Sequence, residues 1–120
     1  MWQFNNREPV FLQIAGRLRL EILSGKFTAD EQFPSVRQIA AEASVNPNTV
    51  QKALALLESD GLLYNKGTVG RFVTRDVAIL EGAREKMRRE TVREMISQAE
   101  ALGISLDELI KIIKEEGRVR

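Results

Sequence analysis

Between positions 46 and 52 the chain reads Asn-Pro-Asn-Thr-Val-Gln-Lys. Carboxamides and a hydroxyl at this density are hydrogen-bonding groups rather than nucleophiles. Asn and Gln can each pair bidentately with adenine, and Thr can bond a base edge or touch a thymine methyl. They do so from the first turn of a helix that enters the major groove. Asn46 suits the N-cap of such a helix and Pro47 its first residue. Asn48, Thr49 and Gln51 then fall on the outward first turn, and Lys52 is within reach of a phosphate. Arg37 lies two residues past another cap, at Ser35. From Gly61 to Arg75 the basic residues Lys66, Arg71 and Arg75 stand with no acidic one. A local positive segment of this kind is an electrostatic footprint for nucleic acid.

Other chemistries find few tools here. The 120 residues include no Cys and no His. That removes disulfides, thiolate nucleophiles, Cys-based zinc sites, and the usual general base and metal ligand. No catalytic residues, no metal and no cofactor are expected, and the chain reads as a non-enzyme. Lys and Arg number 18 against 17 Asp and Glu, for a net charge of +1, which excludes a bulk polycation. No apolar run approaches the roughly 18 residues of a membrane span, and the first residues lack the pattern of a signal peptide. A cytoplasmic location away from membranes is expected. In residues 77–120 acidic and basic residues balance. Pairs such as Glu85 and Arg89 at i, i+4 mark a solvated helix face, not a nucleic-acid site.

The elements that position these groups follow from periodicity. Phe11, Ile14, Ala15, Leu18 and Ile22 form one helical stripe, predicting a helix over 9–24 with Gly25 as its left-handed cap. Residues 26–34 read as a loop whose Phe27 and Phe33 return to the core. Ser35 and Gln38 make a capping box for a short helix over about 35–42. The third helix runs over about 47–59, with Val50, Ala53, Leu54 and Leu57 buried. Residues 62–65 and 71–75 are strand-like around a glycine-punctuated turn, a hairpin signal. A long helix over about 77–102 and a last one over 105–116, opened by a second capping box at Ser105 and Glu108, form a helical hairpin. The fold class is therefore mainly α: a winged helix-turn-helix with a two-stranded wing, followed by a C-terminal helical hairpin. The domains divide near Asp76, into 1–76 for DNA binding and 77–120 as a helical tail.

In order along the chain, Pro9–Ile14, Phe33-Pro34-Ser35-Val36-Arg37-Gln38-Ile39-Ala40, Val45–Ala53 and Leu57–Leu62 match spaced motifs. Together they make residues 9–75 resemble the GntR-type bacterial transcription regulators. The short helical tail and the Asn-Pro-Asn-Thr-Val turn resemble the YtrA-type subgroup. By that resemblance Ser35, Arg37, Asn48, Thr49 and Gly70 occupy DNA-contacting positions. Asp30 stands where the family usually has glycine, and Phe33 replaces leucine. Pro47 replaces a DNA-contacting arginine of many members. The first wing glycine, Gly67, comes one residue early.

The expectation is a sequence-specific DNA-binding transcriptional regulator, a repressor, that binds a palindromic operator as a homodimer. The DNA-binding set is Ser35, Arg37, Asn46, Asn48, Thr49, Gln51, Lys52, Lys66, Gly70 and Arg71. The dimerisation set is Leu80, Met95, Ile96, Leu102, Leu109, Ile110 and Ile113. Its partners are double-stranded operator DNA, a second copy of the chain and, if any, a small effector at the dimer interface. The alternative is a winged-helix protein–protein adaptor without DNA specificity, because fold alone does not choose.

Overall fold

The computed structural model describes residues 2–119. Its elements are α1 (Val10–Leu23), α2 (Val36–Ala43), α3 (Pro47–Ser59), β1 (Leu63–Asn65), β2 (Arg71–Val73), α4 (Val77–Ala101) and α5 (Leu106–Gly117). A single 3-10 turn, Gly67–Val69, joins the two strands. The winged helix-turn-helix and the helical pair after it are those predicted. The chain forms two compact units, Met1–Arg84 and Glu85–Arg120.

In the first unit the stripe of α1 packs on the stripe of α3. Ile14, Leu18 and Ile22 meet the same core as Val50, Leu54 and Leu57, all essentially without exposure. Each such side chain contributes about 1.5–3 kcal/mol when fully buried. The hairpin joins this core through Leu63 and Val73, which face each other in antiparallel register. Tyr64 and Phe72, the next pair, stack on the opposite face with centroids 5.8 Å apart. The N-terminal segment is held by Gln13. Its Oε1 accepts from Asn5 N at 3.1 Å, and its Nε2 donates to the carbonyls of Asn5 and Glu8 at 3.0 and 2.8 Å. Trp2 is buried there, with the Arg17 guanidinium 3.9 Å from its ring centre.

The helix ends follow their caps. Ser35 Oγ accepts from Gln38 N, while Ser35 N donates to Gln38 Oε1 at 2.8 Å, a reciprocal capping box. Ser44 ends α2 in the left-handed region at φ +57°, which sets the tight turn into α3. Asn46 Oδ1 caps α3 by accepting from Asn48 N at 2.8 Å.

Four features differ from expectation. Residues 30–33, predicted as loop, lie along the free edge of β2: Asp30 N donates to Val73 O, Val73 N to Glu31 O and Phe33 N to Arg71 O, at 2.8–3.0 Å. Backbone pairing of this kind needs no alternating side-chain pattern, so periodicity does not reveal it. The division into units falls within α4, C-terminal to Asp76. Leu80, expected at a dimer interface, is buried inside the first unit, where Arg84 Nε also donates to Leu23 O at 2.7 Å. Finally, the second capping box is half made. Ser105 Oγ accepts from Glu108 N at 3.2 Å, and among the described residues Glu108 makes no return bond.

In the second unit Ala99 and Leu109 are buried, and Ile96 is partly so. Met95, Leu102, Leu106, Ile110 and Ile113 are exposed, Leu102 by 78%. Leu106, Ile110 and Ile113 recur at i, i+4 and i+7, so one stripe of α5 is apolar and open to solvent.

Candidate nucleic-acid interface

Three pieces of the first unit border one another: the start of α2, the outer face of α3 and the wing. Gln32, Phe33, Pro34, Ser35, Thr68 and Arg71 line an open groove of about 570 Å³ where the start of α2 meets the wing. The Ser35 hydroxyl, which accepts in the capping box, keeps its own proton for an outward acceptor. Arg37 is exposed, and among the described residues it makes no ion pair or side-chain hydrogen bond. That leaves its guanidinium available to a phosphate.

On α3 the sequence-predicted residues separate into distinct states. Asn48 is exposed and among the described residues its carboxamide makes no hydrogen bond, Thr49 is half-buried, and Asn46 spends its oxygen on the cap. Lys52 leans toward α1, its Nζ 5.4 Å from the Phe11 ring centre. Gln51 is exposed, three positions after Asn48 and so on the same face. Its Oε1 accepts from Arg71 Nη2 at 3.0 Å.

The wing is less positive than its own sequence implies. Arg71 turns toward α3, pairs with Glu58 and is half-buried. Arg75 lies 3.8 Å from Asp30 and donates to the Tyr64 hydroxyl at 3.3 Å. Counting charges along 61–75 misses both carboxylates, because α3 and the segment before α2 deliver them. Among the described residues Lys66 makes no ion pair within 4 Å, and its Nζ lies 4.5 Å from the Phe72 ring centre. The hydrogen bond from Tyr64 holds the Asp30 carboxyl below its ordinary value of 3.8, against some desolvation, and Arg75 and Lys66 add to the lowering. Gly70 carries the turn back into β2 at φ +110°, ψ −164°. A Cβ there would stand 3.3 Å from Gln32 Nε2, which donates to Val69 O at 2.9 Å.

The face so built has a capped helix carrying exposed amide groups, an exposed Arg37, and a wing tip closed by a 3-10 turn. Among the described residues no acidic cluster is placed to hold a metal, and no helix is long and apolar enough to cross a membrane.

Known proteins are similar to this chain in sequence and fold. The sequence model of the bacterial regulatory proteins of the gntR family matches residues 11–73. The HTH-type transcriptional repressor YtrA of Bacillus subtilis is 30% identical over 109 residues, covering 89% of this chain and 83% of its own. A GntR family transcriptional regulator from Listeria monocytogenes superposes with a TM-score of 0.86 at 29% identity, over 93% of this chain and 98% of that one. The DNA-binding domain of AraR, solved in complex with an operator, superposes with a TM-score of 0.57 at 27% identity, over 62% of this chain and 93% of that one.

Proposed function

The chain belongs to the gntR family of bacterial regulatory proteins and is a transcriptional regulator with a GntR-type DNA-binding domain; from that premise we propose that it is a cytoplasmic repressor that binds a palindromic operator as a homodimer. The observation that carries this reading is the outer face of α3. There Asn48 and Gln51 are both exposed, three positions apart on one face, and Gln51 meets Arg71 of the wing.

In this reading α3 enters the major groove. Asn48 and Gln51 meet base edges and Thr49 stands beside them. Ser35, Arg37, Lys52 and Lys66 meet phosphates, while Gly70 shapes the wing tip. Asn46 and Arg71 act from behind, one by capping α3 and the other by bracing it. The apolar stripe of α5, with Met95 and Leu102, buries itself against a second copy. Ile96 and Leu109 support that surface from beneath, and 77–120 acts as the dimerisation tail. Two-fold symmetry then sets two recognition helices about one DNA turn apart, near 34 Å, or a multiple. The repressor role is supported by the likeness to YtrA, itself a repressor. Any small effector would sit between the two copies.

Selection of duplexes from a random pool by the full-length chain tests the reading. Enriched inverted repeats are expected, with affinity falling steeply with salt, by a slope of about 0.9 for each phosphate contacted. A chain that binds all duplexes alike, or none, fits the adaptor alternative and overturns the proposal.

A further inference from the structure

Arg71 does more than neutralise Glu58. Its guanidinium spans α3 from Glu58 to Gln51, seven residues apart and two turns along one face. A guanidinium has five donors and no acceptor. The group of Gln51 that faces it is therefore the amide oxygen, and the amide nitrogen is directed away. Glu58 in turn anchors the guanidinium, so the orientation of the Gln51 amide is set by residues that themselves need no contact with DNA.

This orientation decides what Gln51 reads. Bidentate recognition of adenine requires one amide to accept from N6 and donate to N7 together. The Gln51 oxygen retains a second lone pair, but a cation with N–H donors lies beside it. An adenine amino group, also a donor, would approach against that cation. Guanine keeps the N7 acceptor and has the O6 acceptor in place of the amino group. Resting on the proposed function above, we infer that Arg71 and Gln51 form a donor-only reading unit. Gln51 selects guanine over adenine at its position in each half-site, and Arg71 is the positioning residue that sets the preference.

The test uses the full-length chain and duplexes enriched from a random pool, compared for wild type, Gln51→Met, Gln51→Glu, Arg71→Met and Glu58→Gln. The half-site position that loses its preference in Gln51→Met is expected to be guanine in the wild type. Changing that guanine to adenine should weaken wild-type binding by about 5-fold or more. Arg71→Met should shrink or reverse this ratio while Asn48-dependent preference stays, and Glu58→Gln should shift it in the same direction by less. Gln51→Glu has no donor and should lose the guanine preference even if Arg71→Met does not fold. The inference is overturned by adenine at that position in the wild type, by no position depending on Gln51, or by an unchanged ratio in a folded Arg71→Met. It is equally overturned by guanine preference retained in Gln51→Glu. A wild-type chain that enriches no sequence removes the proposed function itself and this inference with it.

Discussion

Substituting Gly70 by alanine isolates how far the wing tip depends on one backbone conformation. At φ +110°, ψ −164° the residue occupies a region that is essentially open to glycine only, and a side chain there costs about 1–3 kcal/mol. The added Cβ also stands 3.3 Å from Gln32 Nε2. That amide is the end of a flexible, exposed side chain, so it retreats and gives up its bond to Val69 O, a loss of about 0.5–1.5 kcal/mol at most. Backbone strain is therefore the larger cost. Gly67, in the same turn, provides the control. Its φ of +64° is the ordinary left-handed region, and a Cβ there meets nothing within 4 Å. Asn visits that region routinely, so Gly67→Asn should cost well under what Gly70→Asn costs. Urea unfolding, extrapolated linearly at equal slopes, measures both. Operator affinity of Gly70→Ala should fall with its stability, because the 3-10 turn is bonded through Lys66 N to Gly70 O at 2.9 Å. Equal losses at positions 67 and 70, or no loss at 70, would refute the assignment of strain to Gly70.

Three further outcomes are expected. Ser35→Ala removes the capping box of α2 and should cost about 0.5–2 kcal/mol in urea unfolding; a variant as stable as the wild type contradicts the cap. Because the Asp30 carboxyl is held below 3.8 chiefly by Tyr64, its contribution to stability is present above that value and is lost as pH falls through the lowered one; Tyr64→Phe should therefore lose less stability on acidification than the wild type, and equal acid sensitivity in pH-dependent unfolding would be the contrary result. Ile110→Asp places a charge in the exposed stripe of α5 and should shift sedimentation toward monomer without changing the fold of residues 1–84; an unchanged dimer would remove α5 from the interface.

The helices and their caps were legible because their causes are local. The stripes of α1 and α3 repeat at helical spacing, and Ser35, Asn46 and Pro47 mark starts by side-chain chemistry alone. The outward positions of Asn48 and Gln51 follow from the same count. What was not legible required partners distant in the chain. Nothing near Arg71 indicates that Glu58 and Gln51 receive it, since they precede it by 13 and 20 residues. A cation that counts toward a positive wing by sequence is thus a brace within the fold. Leu80 similarly continues an apolar stripe along α4, and only its own burial, beside exposed Val77 and Ile79, shows where its surface goes.

Asp30 shows how a residue other than glycine can hold a left-handed backbone position and use its side chain as well. The residue sits at φ +65°, the region for which glycine has no penalty. Among other residues Asp is one of the few that visit it. Here the side chain gains a use that glycine lacks, accepting from the Tyr64 hydroxyl and facing Arg75. The backbone N–H of the same residue pairs with Val73 O. One position therefore turns the chain, starts the pairing of residues 30–33 with β2, and ties the outer face of the wing to the segment leading into α2. The wing is thus bonded on one side to the segment leading into α2 and on the other, through Arg71, to Glu58 and Gln51 of α3.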